Sequence, residues 1–453
     1  MTVDRVPIPG GFLRDWCDGH AQGTEQPAEA FLASGLAILS AICGPRLLIR
    51  WSSTHTERAN LWIMVAARSA LGGKTTTSSA LKWGINVATQ VDGWPDEIRR
   101  MPLDRFSDAD IIHELDVLGQ DQARVDAIEK KLAKAEGRDP EPKQPIDRAH
   151  PVAFVMVLNE LAQLWGGDIP KHHDQARVTM LSIYDGFISS STRATKVKPQ
   201  DCFVSAIGNI PMSELAKRTE IATLRSGFAG RWFMLPMPDP VRHIATPRVD
   251  GDAHLLPVAD QVRGLCALAE TSGHKVSAIA SMLPQGSDAD AERDAWYTSA
   301  RESFMHDPKQ DELDEAGQEM FQRLQSTALK LAVYSAISRG ASTAAHLEQV
   351  RIDATDIKWG QIIVDMSRET LLAAVRPNVG RVEDKIIAAL MNGMDATSRE
   401  RAVPVRDLRR KVARDMPAPD FLRVCQALVE VDEINMQEIP TGGRPSIVLW
   451  VGS

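Results

Sequence analysis

The chain has 453 residues, 43% of them hydrophobic and 25% charged, with a formal net charge of −8. This length predicts two to four domains, and the composition excludes a disordered or fibrous protein. Five cysteines, Cys17, Cys43, Cys202, Cys266 and Cys425, form no CxxC pair, which argues against a zinc site or a disulfide framework and fits a reducing cytoplasm.

The opening residues, MTVDRVPIPGGFLRDW, lack the basic-then-apolar layout of a secretory signal. Ala28 to Cys43 has helical composition. Its apolar part, Ala30 to Cys43, is shorter than the ~18 to 20 residues of a membrane span and is interrupted by Ser34, Gly35 and Ser40, so a buried helix and no membrane are expected. Pro45 ends it, and Arg46 to Trp51 reads as a short strand. Asn60 to Ala67 (NLWIMVAA) is a continuous apolar run, the pattern of a strand buried on both faces of a parallel sheet. A turn over Ser69 to Thr77 then leads into a helix of roughly Thr76 to Gln90.

Gln120 to His150 is charged and proline-bearing, a solvated helix followed by a surface connection. Further strands are expected at Val152 to Leu158, Phe203 to Ile207 and Arg231 to Leu235. Strands alternating with helices predict an α/β fold with a mainly parallel sheet. Val258 to Val375 reads as mostly helical. Helices near Val382 to Met391, Val405 to Ala413 and Asp420 to Val429 precede strands at Ile434 to Ile439 and Ile447 to Val451, which flank the turn PTGGRP and spell a winged helix. The expected domains are 1–50 (helical), 51–245 (core), 246–375 (helical subdomain) and 376–453 (winged helix).

Phosphate oxygens need converging N–H donors, which a glycine turn at a helix N-terminus supplies. Gly72-Gly73-Lys74-Thr75 provides that turn, after a strand and before a helix, as a P-loop requires. The expected nucleotide contacts are Arg68, Ser69, Ala70, Leu71, Gly72, Gly73, Lys74, Thr75 and Thr76. Lys74 is placed on the β- and γ-phosphates, and the Thr75 hydroxyl on Mg2+. Taken alone the Gly-Lys-Thr triplet is weak, and its position between strand and helix carries the assignment. Arg68 occupies the first glycine position of GxxxxGK[ST].

The apolar strand VAFVMVL delivers Asn159 and Glu160 to its C-terminal edge, where ligands bind in open α/β sheets. Glu160 is the expected carboxylate for orienting water beside the metal, with Asn159 next to it. Asn209 ends the next strand and is either a phosphate or water contact or a turn asparagine before Pro211. Arg225 and Arg231 are either arginines offered to a neighbouring subunit's phosphoryl group or members of structural ion pairs. Adjacent His172 and His173 on a helix do not share a face and make a poor metal site.

Arg193, Lys196 and Lys198, in a hydroxyl-rich loop without acids, suit a DNA backbone. Between Arg376 and Arg423 eleven Lys/Arg face seven Asp/Glu, a local charge of +4. Arg406, Arg409, Arg410 and Arg414, with Arg444 on the expected wing, form a second candidate DNA contact; a protein-contact module is the alternative.

With these residues in place, the chain resembles the YfjI-like family of phage and plasmid P-loop ATPases, found fused to or encoded beside primases and regarded as helicase-like. NLWIMVAARSALGGKT, VMVLNE, the YDG of Tyr184 to Gly186, the GNIP of Gly208 to Pro211 and the SGFAGR of Ser226 to Arg231 occur in the family's order. The resemblance covers about Ala28 to Pro238, and more loosely the helices to Ala374. It implies a RecA/AAA+-like fold, ATP and Mg2+ as cofactors, Lys74 and Thr75 as the nucleotide grip, Glu160 as the catalytic carboxylate and Arg231 as the finger. Arg68 and Asn159 depart from the family's usual glycine and aspartate. The function expected is a cytoplasmic DNA motor, a homo-oligomeric (hexameric) ring helicase with a primase partner. The alternatives are an initiator or loader that melts origin DNA, and a DNA-binding regulator switched by nucleotide.

Overall fold

The computed structural model describes residues 6–22, 24–50, 56–67, 74–91, 98–102, 111–112, 115, 127–135, 138, 152–166, 169–186, 202–237, 252–272, 276–277, 282–283, 286–305, 312–379, 386–387, 389–394, 396, 401–413, 418–430, 434–440 and 446–451. Two compact units are present, Met1–Ala374 and Val375–Ser453.

The first unit is built on five strands: β3 (Trp62–Ala67), β4 (Ile98–Pro102), β5 (Val152–Leu158), β6 (Cys202–Pro211) and β7 (Phe233–Pro236). Their order is β4-β5-β6-β3-β7, and every neighbouring pair is parallel. All residues of β3, β5 and β7 are buried, as uninterrupted apolar runs require when helices cover both faces of a sheet. β4, sequence IRRMP, was not legible from the pattern. It is an edge strand, where charged side chains are tolerated.

On one face lie α1 (Phe12–Ala21), α2 (Leu32–Cys43) and α3 (Lys74–Ala88), with α2 packed on β3, β5 and β6 and α3 packed on α2 and β4. Every residue of α2 is buried. With its flanking turns, Ala28–Arg46 is a 19-residue segment long and apolar enough to cross a membrane, and it is 89% buried inside the unit, the condition of a core helix. A Cβ at Gly84 of α3 would stand 2.6 Å from Trp16 and 3.0 Å from Ile38, so glycine lets α3 sit close against α1 and α2.

The chain continues through α4 (Lys171–Tyr184), α5 (Met212–Arg218), α6 (Ile221–Arg225), α7 (Leu256–Thr271), α8 (Asp288–Met305), α9 (Glu312–Gly340) and α10 (Ala354–Val379). A small sheet joins β1 (Leu47–Arg50) antiparallel to β2 (Thr56–Arg58) and parallel to β8 (Val276–Ser277). The expected divisions at residues 50 and 245 are not breaks between compact units, because both flanking regions belong with the sheet. Ser338 of α9 donates to Gly10 O at 2.7 Å and accepts from Leu13 N at 2.8 Å, and Trp359 Nε1 donates to Pro7 O at 2.7 Å. Met234 N in β7 donates to Ser367 Oγ of α10 at 2.8 Å.

The second unit contains β9 (Val403–Pro404), α11 (Val405–Val412), α12 (Ala418–Glu430), β10 (Ile434–Ile439) and β11 (Ser446–Val451), with an antiparallel sheet in the order β10-β11-β9. Its own core gathers Ile386, Leu390, Leu408, Phe421, Cys425, Ile434 and Leu449.

Candidate functional site

Three polar chain segments meet the C-terminal edge of the central sheet, the edge at which open α/β sheets bind ligands. The first is the start of α3. Arg68, Ser69, Ala70, Leu71, Gly72 and Gly73 lie outside the described residues, as do the side chains of Lys74, Thr75 and Thr76; the backbone of these last three opens α3, shortly after β3 ends at Ala67. The leading N–H groups of a helix have no partner within it and present a partial positive charge. The start of α3 is fastened from outside, since Thr77 Oγ1 donates to Ala30 O at 3.2 Å.

The second segment follows β5, where Asn159 and Glu160 form an exposed turn. Glu160 Oε2 accepts from Gln163 Nε2 at 2.6 Å. The third is the end of β6, which lies between the other two strands. Leu158 is paired with Gly208 and Val65 with Asn209, so Asn209 stands one step beyond the last paired residue of β5 and two short of the end of β3. Asn209 and Ser205 share a face of β6, and Ser205 Oγ lies 2.6 Å from Ser40 Oγ of α2. Asn209 is therefore on the face covered by α2 and α3.

Asn209 is 1% exposed, and among the described residues neither its Nδ2 nor its Oδ1 has a hydrogen-bond partner. A buried orphaned polar group costs about 1–3 kcal/mol. An amide with both functions unclaimed at the C-terminal end of a central strand is free to bond a ligand bound at that edge of the sheet. The alternative of a turn asparagine does not match its place within the β6 ladder.

The arginines lie at the other edge. Arg231 precedes β7, whose first residue is paired with Ile63 near the start of β3, at ~3.3 Å per residue on the order of 13 Å before the end of that strand. Arg231 donates from Nε to Asp185 Oδ1 at 3.2 Å, from Nη2 to Asp185 Oδ2 at 2.6 Å and from Nη1 to Gly227 O at 2.6 Å. Its guanidinium carbon is 5.4 Å from the centroid of the Tyr184 ring. The ion pair weighed as the alternative for Arg231 is thus realised within the chain. Arg225 closes α6, and its carbonyl accepts from Arg323 Nη1 at 3.2 Å.

Around this edge lie residues the sequence reading did not single out for chemistry. Lys330 of α9, 1% exposed, donates to Tyr184 Oη at 2.9 Å and Asn60 Oδ1 at 3.3 Å and is 3.8 Å from Glu57 Oε2. Asp185 and Tyr184 were visible only as part of the YDG triplet. Lys330, 146 residues from Tyr184, carried no signal.

One further group adjoins α3. The His20 ring lies 4.4 Å from Trp16, 5.6 Å from Phe31 and 5.1 Å from Trp83 of α3, centroid to centroid. Burial, helped by nearby His254, lowers its pKa to about 4.

Of the expected DNA contacts, Arg193, Lys196, Lys198, Arg414 and Arg444 lie outside the described residues. Arg406, Arg409 and Arg410 are on α11, where Leu408 turns into the core while Arg406 and Arg410 are exposed and Arg409 half-buried. Spacings of three and four residues put these arginines on one side of the helix.

No protein-family model matches the sequence, and no curated protein matches it either; the resemblance to the YfjI-like family gains no support from them. Among solved structures the chain is similar to the ADP form of the Aeropyrum pernix ORC2 protein, at 11% identity and a TM-score of 0.27, with 99% of this chain and 92% of that chain covered. The ADPNP-ADP complexes of the same protein give 12% identity and a TM-score of 0.28 at the same coverage. The α/β P-loop NTPase fold stands on the parallel sheet, the strand-to-helix junction of β3 and α3, and the polar ends of β5 and β6.

Proposed function

We propose that this chain is an ATPase acting on DNA, an initiator or loader that holds a duplex and uses ATP hydrolysis to melt or remodel it. The observation that carries the ATPase reading is the buried, unclaimed amide of Asn209 between the strand that leads to Lys74 and the strand that precedes Glu160. ATP with Mg2+ supplies the phosphoryl group and the cation that neutralises its charge. Lys74 and the first N–H groups of α3 hold the phosphates, and the Thr75 hydroxyl takes the metal. Glu160 orients and polarises the attacking water. Asn209 fixes that water or the terminal phosphate. Asn159, lacking charge, leaves the metal's outer shell less tightly held than an aspartate does.

Arg231 lies at the edge of the sheet opposite the end of β3 that leads to α3, which supports the finger acting on the nucleotide of a neighbouring copy and hydrolysis that depends on self-assembly. The second unit, helices followed by a hairpin with three arginines along α11, supports a winged helix docked on duplex phosphates. Such a grip must be broken at every step of translocation, so it favours a protein that stays at a site over a processive ring helicase. Five buried cysteines that form no disulfide fit a reducing cytoplasm.

The deciding experiment measures ATP turnover without DNA, with single-stranded DNA and with duplex, alongside strand displacement. Turnover raised by duplex, with local melting and no displacement of long strands, is expected. Processive displacement would instead establish the helicase reading. Nucleotide-dependent DNA binding without turnover would reduce the protein to a switch.

A further inference from the structure

The guanidinium of Arg231 has five N–H donors arranged on three sides. Asp185 takes the side formed by Nε and Nη2, and the Gly227 carbonyl takes one hydrogen of Nη1. One Nη1–H and one Nη2–H remain without a partner among the described residues. The rest of the side chain is fixed. Tyr184 lies against the guanidinium, and the Arg231 side chain is only 21% exposed. A Cβ at Gly227 would stand 3.0 Å from Arg231 Nη1, so glycine permits the close carbonyl contact.

We propose that Asp185 is a positioning residue for Arg231: it grips the guanidinium through Nε and Nη2 and sets the plane in which the two unclaimed N–H groups meet the phosphate of a nucleotide bound to a second copy of this chain. The proposal rests on the trans reading of Arg231 given above. A bidentate carboxylate sets the plane of a guanidinium as well as its place. An arginine already ordered loses less freedom when the phosphate arrives. Tyr184 supports the arrangement from below, and its hydroxyl is held by buried Lys330, so the aim of Arg231 is set by α4 and α9 together.

The test is complementation. A Lys74→Ala chain cannot use its own nucleotide and supplies only Arg231, whereas an Arg231→Ala chain supplies only an intact nucleotide site. Mixed, the two are expected to regain ATP turnover. Asp185→Asn is then placed in the Lys74→Ala chain. Complementing kcat is expected to fall at least tenfold with KM for ATP unchanged, since the nucleotide site belongs to the other copy. Asp185→Glu keeps the charge but moves the carboxylate by about one methylene, and is expected to fall between two- and fivefold. It also keeps the ion pair available for folding should Asp185→Asn unfold. Full complementation by both Asp185 variants overturns the positioning role while leaving Arg231 as the finger. Absence of turnover from the first mixture, with co-assembly shown by sedimentation, overturns the trans finger and the role of Asp185 with it.

Discussion

The Thr77 hydroxyl, in the first turn of α3, donates to the carbonyl of Ala30 at 3.2 Å, tying the helix that begins at Lys74 to the turn that leads into α2. Thr77 is 1% exposed. Thr77→Val keeps the shape and removes the bond. Unfolding in urea is expected to register a loss of about 1 kcal/mol, and titration with a fluorescent nucleotide a weakening of several-fold. Unchanged nucleotide affinity in a destabilised protein would confine the tie to folding.

Glu160→Gln is expected to bind ATP as the parent does and to lower turnover by about 10²- to 10⁴-fold, because an amide keeps the shape of the side chain but cannot polarise water. Single-turnover hydrolysis separates the two steps. Turnover within a few-fold of the parent moves the carboxylate role to another residue.

Asn209 offers a test in which stability and activity part. Asn209→Leu replaces an unsatisfied buried amide with an apolar side chain of similar volume and is expected to raise unfolding stability by about 1 kcal/mol. The same change is expected to lower ATP turnover at least tenfold. A variant that is both less stable and fully active would make the asparagine a structural residue.

Removal of Val375–Ser453, which has its own core, is expected to weaken duplex binding and leave an ATPase that still turns over. Arg409→Glu with Arg410→Glu is expected to lower duplex affinity and flatten its salt dependence, the slope of log K against log salt falling by about 2 as two phosphate contacts are lost. Duplex affinity unchanged by the deletion would assign the unit to a protein partner.

Acid is expected to destabilise the first unit through His20. Its pKa falls from 6.5 to about 4 on folding, so between those values the unfolded chain binds more protons and stability drops as pH falls. Above about pH 6.5 this contribution is flat, and across the window it reaches on the order of 3 kcal/mol. His20→Phe suits the ring's aromatic neighbours and removes the titration. A denaturation series from pH 7 to 4 should lose part of its slope in that variant; an identical slope would clear His20 of the effect.

The central strands were legible because β3 and β5 are apolar without interruption, and the hairpin of the second unit because its strands flank a turn signal. β4 was hidden by Arg99 and Arg100, which its edge position tolerates. β6 runs on through Gly208 and Asn209 to Pro211, residues that read as a loop until a neighbouring strand holds them in register. The ends of β5 and β6 could be assigned because strand direction fixes which end is polar. The surroundings of Arg231 could not. Asp185 lies 46 residues away from it, and only the tertiary fold brings the YDG and SGFAGR motifs together.

The bond from Trp359 to Pro7 spans 352 residues, and Ser338 reaches back almost as far to Gly10 and Leu13. On a ribosome adding roughly 5–20 residues per second, the opening segment waits about 20–70 s before its binding surface exists. For much of that interval α2, buried on every side in the folded chain, has been synthesised while its later cover of α7 and α9 has not. The nascent chain therefore exposes a buried core helix until its covering helices emerge, and how late they emerge sets how long that surface needs protection during synthesis.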